Sequence, residues 1–454
     1  MASQTPTISI KLLINLESNT VLLAEAGSDF VNTLHSLLKL PLGNIARLAD
    51  MHQCLQPGCL NNLYNSVENL GLEIFRTKAC KHMLLYPRNV HDVEFKKLKL
   101  NMDLSVPTGC FVCGNVECSE IFGGLFSYYK GTRCICEWGA NRDIRQFIKI
   151  DAVKDETEGV LYRGESMFFI TDDLRVMQGS PDDLIQFLLN MGLKNVSRVE
   201  EKVVEIERGI GSGTTPMLDE LFSTIAPKEK ESAEKDGKTR VKLMLRKSDR
   251  KVLYAESSED FVDLVFSFLT IPLESVLEMV LVAKGSLTLG SISNLFRDLN
   301  TIFSVSKQKN SQQGVLPPFY SCPKEFPNIC SRDPPKYYHV FTHYDHLTEG
   351  EKDTKIYLQP MDPKSPERIP TNSSGYVEKN SFVVTDDLVV QPRSSVSSIS
   401  LLLEIGIQLD DVESKVISIG EVEAIALLGA CLWSSSALTA SLNSFAKKPK
   451  QEPL

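Results

Sequence analysis

From Ile8 to Leu16 the chain alternates. Ile8, Ile10, Leu12, Ile14 and Leu16 are interleaved with Ser9, Lys11 and Asn15, the period-two signature of a half-buried strand. Glu17-Ser18-Asn19 supplies turn formers, and Val21 to Glu25 continues as a second strand. The period then changes. Phe30, Val31, Leu34, Leu37 and Leu38 fall on one face of a helix. Ser28 is placed to cap it, Asp29 puts a carboxylate at its positive end, and Pro41 stops it.

The same pattern recurs 231 residues later. Lys11-Leu12, Val21-Leu22, Ala24-Glu25, Asp29-Phe30-Val31 and Pro41-Leu42 return as Lys242-Leu243, Val252-Leu253, Ala255-Glu256, Asp260-Phe261-Val262 and Pro272-Leu273. Ser258 then stands as the second cap. A gap-free repeat over 11–45 and 242–276 is a duplicated domain, not a short solenoid unit. Helical faces at Leu60, Leu63, Tyr64, Val67 and Leu70 and at Ile292, Leu295, Phe296 and Leu299 extend the match, with Asn62-Leu63-Tyr64 answering Asn294-Leu295-Phe296. A second block comes later in each half. Thr171-Asp172-Asp173-Leu174 matches Thr385-Asp386-Asp387-Leu388, preceded by strands at 167–170 and 381–384. Leu184, Phe187, Leu188 and Met191 form a helical face closed by Gly192.

The expected fold is therefore α+β: two homologous halves, each with two strand–turn–strand–helix units. With a later strand such as Lys202 to Ile206, this order is compatible with a ubiquitin-like β-grasp. The boundaries read as a first repeat over 1–225, a charged linker over 226–239, a second repeat over 240–445 and a basic tail over 446–454. Glu421 to Phe445 predicts two helices, where the first half has only the glycine-rich Gly209-Ile210-Gly211-Ser212-Gly213 and the stretch from Met217 to Ile225.

Composition narrows the class. The chain has 454 residues, 42% hydrophobic and 24% charged, as expected of a globular protein of several domains. A net charge of −9 argues against a surface given over to nucleic acid or anionic membrane. Met1 to Pro6 lacks the basic and apolar regions expected of a signal peptide, and the apolar run from Ala424 to Trp433 is too short to span a bilayer. A cytoplasmic location is expected, with Lys447-Lys448-Pro449-Lys450 as a weak nuclear signal and no secretion or membrane association. Eleven cysteines, an odd number, fit reduced thiols, some on metal.

The densest chemistry is Cys110, Cys113, Cys118, Cys134 and Cys136. Two thiolate pairs about 16 residues apart resemble a zinc ribbon, in which tetrahedral Zn²⁺ ties two knuckles together. The predicted ligands are Cys113, Cys118, Cys134 and Cys136, with Cys110 as the alternative. Unligated thiols are the competing reading, because Cys113-x4-Cys118 and Cys134-x-Cys136 are looser than the usual spacing. The second half lacks the cluster. Its Cys322, Cys330, His339, His343 and His346 do not match, since Tyr337 to Phe341 reads as a strand that spreads its histidines. The glycines at 209–213 lack the Lys-Ser/Thr of a phosphate loop. Asp172-Asp173 and Asp386-Asp387 suit turns better than acid–base pairs.

Lys11-Leu12-Leu13, Ala24-Glu25, Asp29-Phe30-Val31, Leu84-Leu85-Tyr86-Pro87-Arg88-Asn89, Tyr128-Tyr129 before Cys134-Ile135-Cys136, and Phe169-Ile170-Thr171-Asp172-Asp173-Leu174 together resemble the plant family called domain of unknown function 674. The resemblance implies duplication within one chain, brings no catalytic residues, and strengthens Cys113, Cys118, Cys134 and Cys136 as a set. Glu137 stands where that family shows glycine. The function expected is a non-enzymatic scaffold or adaptor that binds protein partners. The first alternative is RNA or single-stranded DNA binding through the cysteine segment, where Lys130, Arg133, Arg142, Arg145 and Lys149 outnumber Glu137 and Asp143. The second is a small-molecule enzyme in a cleft between the halves.

Overall fold

The structure is a computed structural model. It describes residues 7–52, 58–89, 111–113, 125–130, 140–143, 148–150, 166–179, 181–190, 199–207, 239–284, 290–306, 337–345, 350–360, 375–394, 401–403 and 406–446, with 95, 98–99, 132, 162 and 363–364.

The first half opens with the hairpin β1 (Thr7–Asn15) and β2 (Thr20–Gly27), then helices α1 (Ser28–Leu38), α2 (Leu42–His52), α3 (Leu60–Asn69) and α4 (Lys78–Leu85). Four short strands come next: β3 (Phe111–Cys113), β4 (Leu125–Ser127), β5 (Ala140–Asp143) and β6 (Ile148–Ile150). The half closes with β7 (Met167–Thr171), β8 (Val176–Gln178), α5 (Pro181–Asn190) and β9 (Val199–Glu207). The second half repeats the plan with β10 (Thr239–Arg246), β11 (Val252–Ser258), α6 (Glu259–Ser267), α7 (Leu273–Lys284) and α8 (Gly290–Ser306). Then come β12 (Tyr337–Asp345), β13 (Gly350–Pro360), β14 (Ser381–Thr385), β15 (Val390–Pro392), β16 (Val412–Ile419), α9 (Glu421–Trp433) and α10 (Ala437–Ala446).

Each half builds one antiparallel five-stranded sheet, ordered β8-β7-β2-β1-β9 and β15-β14-β11-β10-β16. The first and last strands of each sheet pair antiparallel. This corrects the β-grasp expectation, because a β-grasp sheet sets those two strands side by side and parallel. The repeat copies even the irregularities. A bulge at Leu13/Ile14 is matched at Met244/Leu245. The hairpins turn through positive φ at Asn19 (53°) and Arg250 (63°), and the second hairpins do so at Leu174 (56°) and Leu388 (63°). Such values are uncommon for non-glycine residues, so their recurrence reflects copied turn geometry.

Phe30 and Phe261 are both buried beneath their sheets, as the repeat requires. The helix caps differ from expectation. Ser28 is already inside α1 behind Gly27, and Ser258 caps α6 without a side-chain bond. The acidic first turns of Asp29, Glu259 and Asp260 are present and favour both helix starts. β10 begins at Thr239, one residue inside the expected linker.

The halves are repeats in topology but not separate in packing. One apolar core runs through both, from Ile8 and Phe30 to Phe261 and Leu442. A third, six-stranded sheet, ordered β5-β3-β4-β13-β12-β6, mixes strands of the two halves. β13 runs parallel to β4, and β12 pairs with β6.

Candidate functional site

The densest polar chemistry among the described residues lies along the seam between the halves. At its centre Pro41 and Pro272, repeat equivalents of one another, form an antiparallel bridge. Leu42 N–H donates to Ile271 O at 2.9 Å, and Leu273 N–H donates to Leu40 O at 3.0 Å. A residue that bridges to its own equivalent marks a local two-fold axis, so the interface is isologous within one chain.

Either side of that axis, each half lends a helix to the other. Asn62 on α3 donates from Nδ2 to Asp387 O (3.0 Å) and Oδ2 (3.1 Å) in the turn between β14 and β15. Asn294 on α8 makes the same two bonds, 3.0 and 3.2 Å, to Asp173 between β7 and β8. One turn further along each helix, Ser66 Oγ accepts from Val390 N–H at 2.9 Å and Asp298 Oδ2 accepts from Val176 N–H at 3.0 Å. The repeated Asn and the Thr-Asp-Asp-Leu turn are thus plug and socket. Asp386 does separate work. Its carboxylate accepts from Thr439 N–H (2.7 Å) and Oγ1 (3.0 Å) and so ties down α10. Burial raises its pKa, partly offset by those bonds.

A second cluster surrounds Asp263 on α6. Its carboxylate accepts from the N–H groups of Tyr376 (2.7 Å) and Val377 (3.0 Å). Burial pushes the carboxyl up to about 7 against those bonds and the attraction of Arg76 and Lys364. Arg76 Nε donates to Val377 O at 2.9 Å, and Lys364 lies 4.9 Å from the Tyr376 ring centroid. Thr77 caps α4 through Cys80 N–H at 3.1 Å and donates to Pro363 O at 2.7 Å. Burial raises the Cys80 thiol to about 11 and the Tyr376 phenol further still. In the first half Asn32 takes the place of Asp263. It accepts from Tyr162 N–H at 2.6 Å and donates to Tyr162 O at 3.1 Å. Both residues anchor a residue ahead of the second hairpin, one with a carboxyl and one with an amide.

The thiols here are kept protonated by burial. Cys59, raised by burial to about 12, donates to Ser434 O at 2.8 Å, and its N–H donates to Cys431 O. Thiols so shifted stay protonated at neutral pH. An open groove of about 400 Å3 lies between α7 and α8, lined by Leu281, Phe296, Arg297, Asn300 and Thr301. None of these residues belongs to the Asp263 cluster.

Of the predicted ligands, Cys113 ends β3, while Cys110, Cys118, Cys134 and Cys136 lie outside the described residues. Among the described residues, no three His, Cys, Asp or Glu side chains gather as a metal group. His339 and His343 sit on β12 as expected, and His346, Cys322, Cys330 and the glycines at 209–213 lie outside the described residues. Arg142 is on β5 and Lys149 on β6, at opposite edges of the mixed sheet, roughly 24 Å apart over five strand spacings. Arg133 and Arg145 lie outside the described residues. Among the described residues, no helix is long and apolar enough to cross a membrane. A reading of motifs finds the plug and socket as repeats without their pairing, and it misses Asp263. Only the repeat of Asn62 at Asn294 signals the plug, and nothing signals Asp263, which reads as one polar position on an amphipathic helix.

The fold and seam define a class: a single-chain pseudo-dimer of two α+β units with exchanged helices. The chain belongs to the family described as "Protein of unknown function (DUF674)", whose model matches residues 4–210 and 212–422. Neither the curated proteins nor the solved structures yield a match.

Proposed function

We propose that the protein is a non-enzymatic adaptor that binds protein partners. The observation that carries this reading is the employment of its perturbed acids. Asp263 accepts two backbone N–H groups on Oδ1, and Asp386 accepts a backbone N–H and a hydroxyl of α10, so both acids serve packing and their shifted pKa values follow from it. Proximity labelling from a tagged full-length chain tests it. A small, reproducible set of labelled proteins is expected. A stoichiometric bound metabolite in native mass spectrometry, with no enriched protein, would replace the adaptor with the enzyme of the second alternative.

The adaptor reading includes a structural zinc on Cys113, Cys118, Cys134 and Cys136, with Cys110 as the alternative ligand. Strand order supports it. Cys113 pairs with Ala140, so the chain that carries Cys134 and Cys136 re-enters the sheet beside Cys113, and the chain that carries Cys118 leaves there. Four thiolates would hold Zn²⁺ in a closed tetrahedral site, which adds folding energy and no open coordination position. Elemental analysis of protein purified under reducing conditions should find about one zinc per chain, and Cys134→Ser should lower that content at least severalfold. Metal-free wild-type protein would return these residues to ordinary thiols.

A further inference from the structure

We propose that the seam is a pairing code, in which Lys39 and Glu274 select a first half for a second half and reject a half of the same kind. The argument starts at the Pro41–Pro272 bridge. Antiparallel register about that bridge sets Lys39 opposite Glu274 and Gly43 opposite Thr270. The Lys39 side chain is 7% exposed and that of Glu274 18%, and the two form an ion pair across the seam. The two-fold axis carries this pair onto Gly43 and Thr270, and there no charge occurs. Thr270 Oγ1 instead donates to Ser267 O at 2.8 Å. Gly43 could not carry a carboxylate, because a Cβ there would lie 2.9 Å from Leu84 O and 3.0 Å from Leu269 O.

The plug and socket at the seam are common to both halves, whereas the bonds of Cys59 to Cys431 and Ser434 and of Arg76 to Val377 add to the preference for the unlike pair. Each half owns a plug, Asn62 or Asn294, and a socket, the turn of Asp173 or Asp387. Two first halves could therefore engage plug to socket in both directions. Their axis, however, would place Lys39 opposite Gly43 twice and bury two ammonium groups without carboxylates. Two second halves would bury Glu274 opposite Thr270 twice. Only the unlike pair neutralises the charge. A buried ion loses more from a missing partner than a surface ion does, so one asymmetric pair suffices as an element directed against like pairing. The surface described by the seam thus fits a partner of one kind, the opposite half of this chain, whether from the same molecule or from a second copy.

The test uses the whole chain with a protease site inserted within 226–238. Isotopically light and heavy preparations are cut after folding, unfolded in denaturant, mixed, refolded and read by native mass spectrometry. The cut wild type should reassemble as unlike pairs, with light and heavy halves mixed. Like pairs should be rarer by about a hundredfold, the penalty of an uncompensated buried charge. Lys39→Thr with Glu274→Gly gives both halves the same axis residues and should raise the share of like pairs at least tenfold over the wild type. Lys39→Glu with Glu274→Lys, which keeps one charge of each sign, should restore unlike pairing alone. Like pairs from the wild type as abundant as from the Thr/Gly variant overturn the code. So does a wild type whose cut halves recover no complex. If the Thr/Gly variant fails to refold, the charge-swapped variant decides, and like pairs from it overturn the proposal.

Discussion

Asn32 and Asp263 occupy one place in two copies of a fold, and the difference between them is one ionisable proton. Asp263 is raised by burial to about 7 from an ordinary value near 3.8, although two N–H donors and the charges of Arg76 and Lys364 oppose the rise. The folded chain therefore holds this proton more tightly than the unfolded chain. The stability gained is full below about pH 4 and is lost as pH rises through about 7, by an amount on the order of a few kcal/mol. Asp263→Asn imitates the first half, and its carbonyl can still accept from Tyr376 and Val377. The variant should show a flatter stability profile between pH 4 and 8 than the wild type, measured by thermal unfolding. An unchanged slope would mean that another group carries that proton linkage. At the same scale, Phe30→Ala and Phe261→Ala should each cost about 3–5 kcal/mol, since both rings are buried.

Among elements, the exchanged helices make an ordered prediction. Asn62→Ala removes a part-buried pair of bonds to Asp387, while Asn294→Ala removes a more exposed pair to Asp173. The first should cost about 1–3 kcal/mol and the second less, because water replaces what an exposed carbonyl loses. Denaturant unfolding of the two variants and their double decides it, and the two losses should add, because they lie at separate sockets. The elements themselves are legible in the sequence. Alternation marks β1, the i, i+4 faces mark α1, α3 and α8, and the repeated Thr-Asp-Asp-Leu marks the second hairpins. Their partners are less so. The pairing of β1 with β9 spans most of a half, and no local period encodes a contact between Ile8 and Ile206. The β-grasp expectation failed at that point, because order along the chain leaves open whether the last strand runs parallel or antiparallel to the first. Serines beside a helix start likewise name a cap without fixing its geometry, so Ser28 could fall inside α1.

For the whole molecule, the duplication is legible and the seam is not. Lys39 and Glu274 read as ordinary polar positions near a proline, and only the antiparallel Pro41–Pro272 bridge brings them together. The plug is visible as the repeated Asn62 and Asn294, yet a polar residue on a helix usually faces water. The cysteine set gives the clearest motif, and of its members Cys113 alone falls among the described residues, in register with Ala140. The exchange of helices also sets a clock for synthesis. α3 leaves the ribosome early, but the turn of Asp387 and the strand of Val390 that seat it are made 325 and 324 residues later. At about 5–20 residues per second, the nascent chain holds that unseated helix for roughly 15–65 s. α8, by contrast, emerges to find the turn of Asp173 already made. The first half must therefore wait and the second need not, so a ribosome stalled before Asp387 would carry an α3 packed on α2 and α4 but lacking its socket, open on that side to a chaperone.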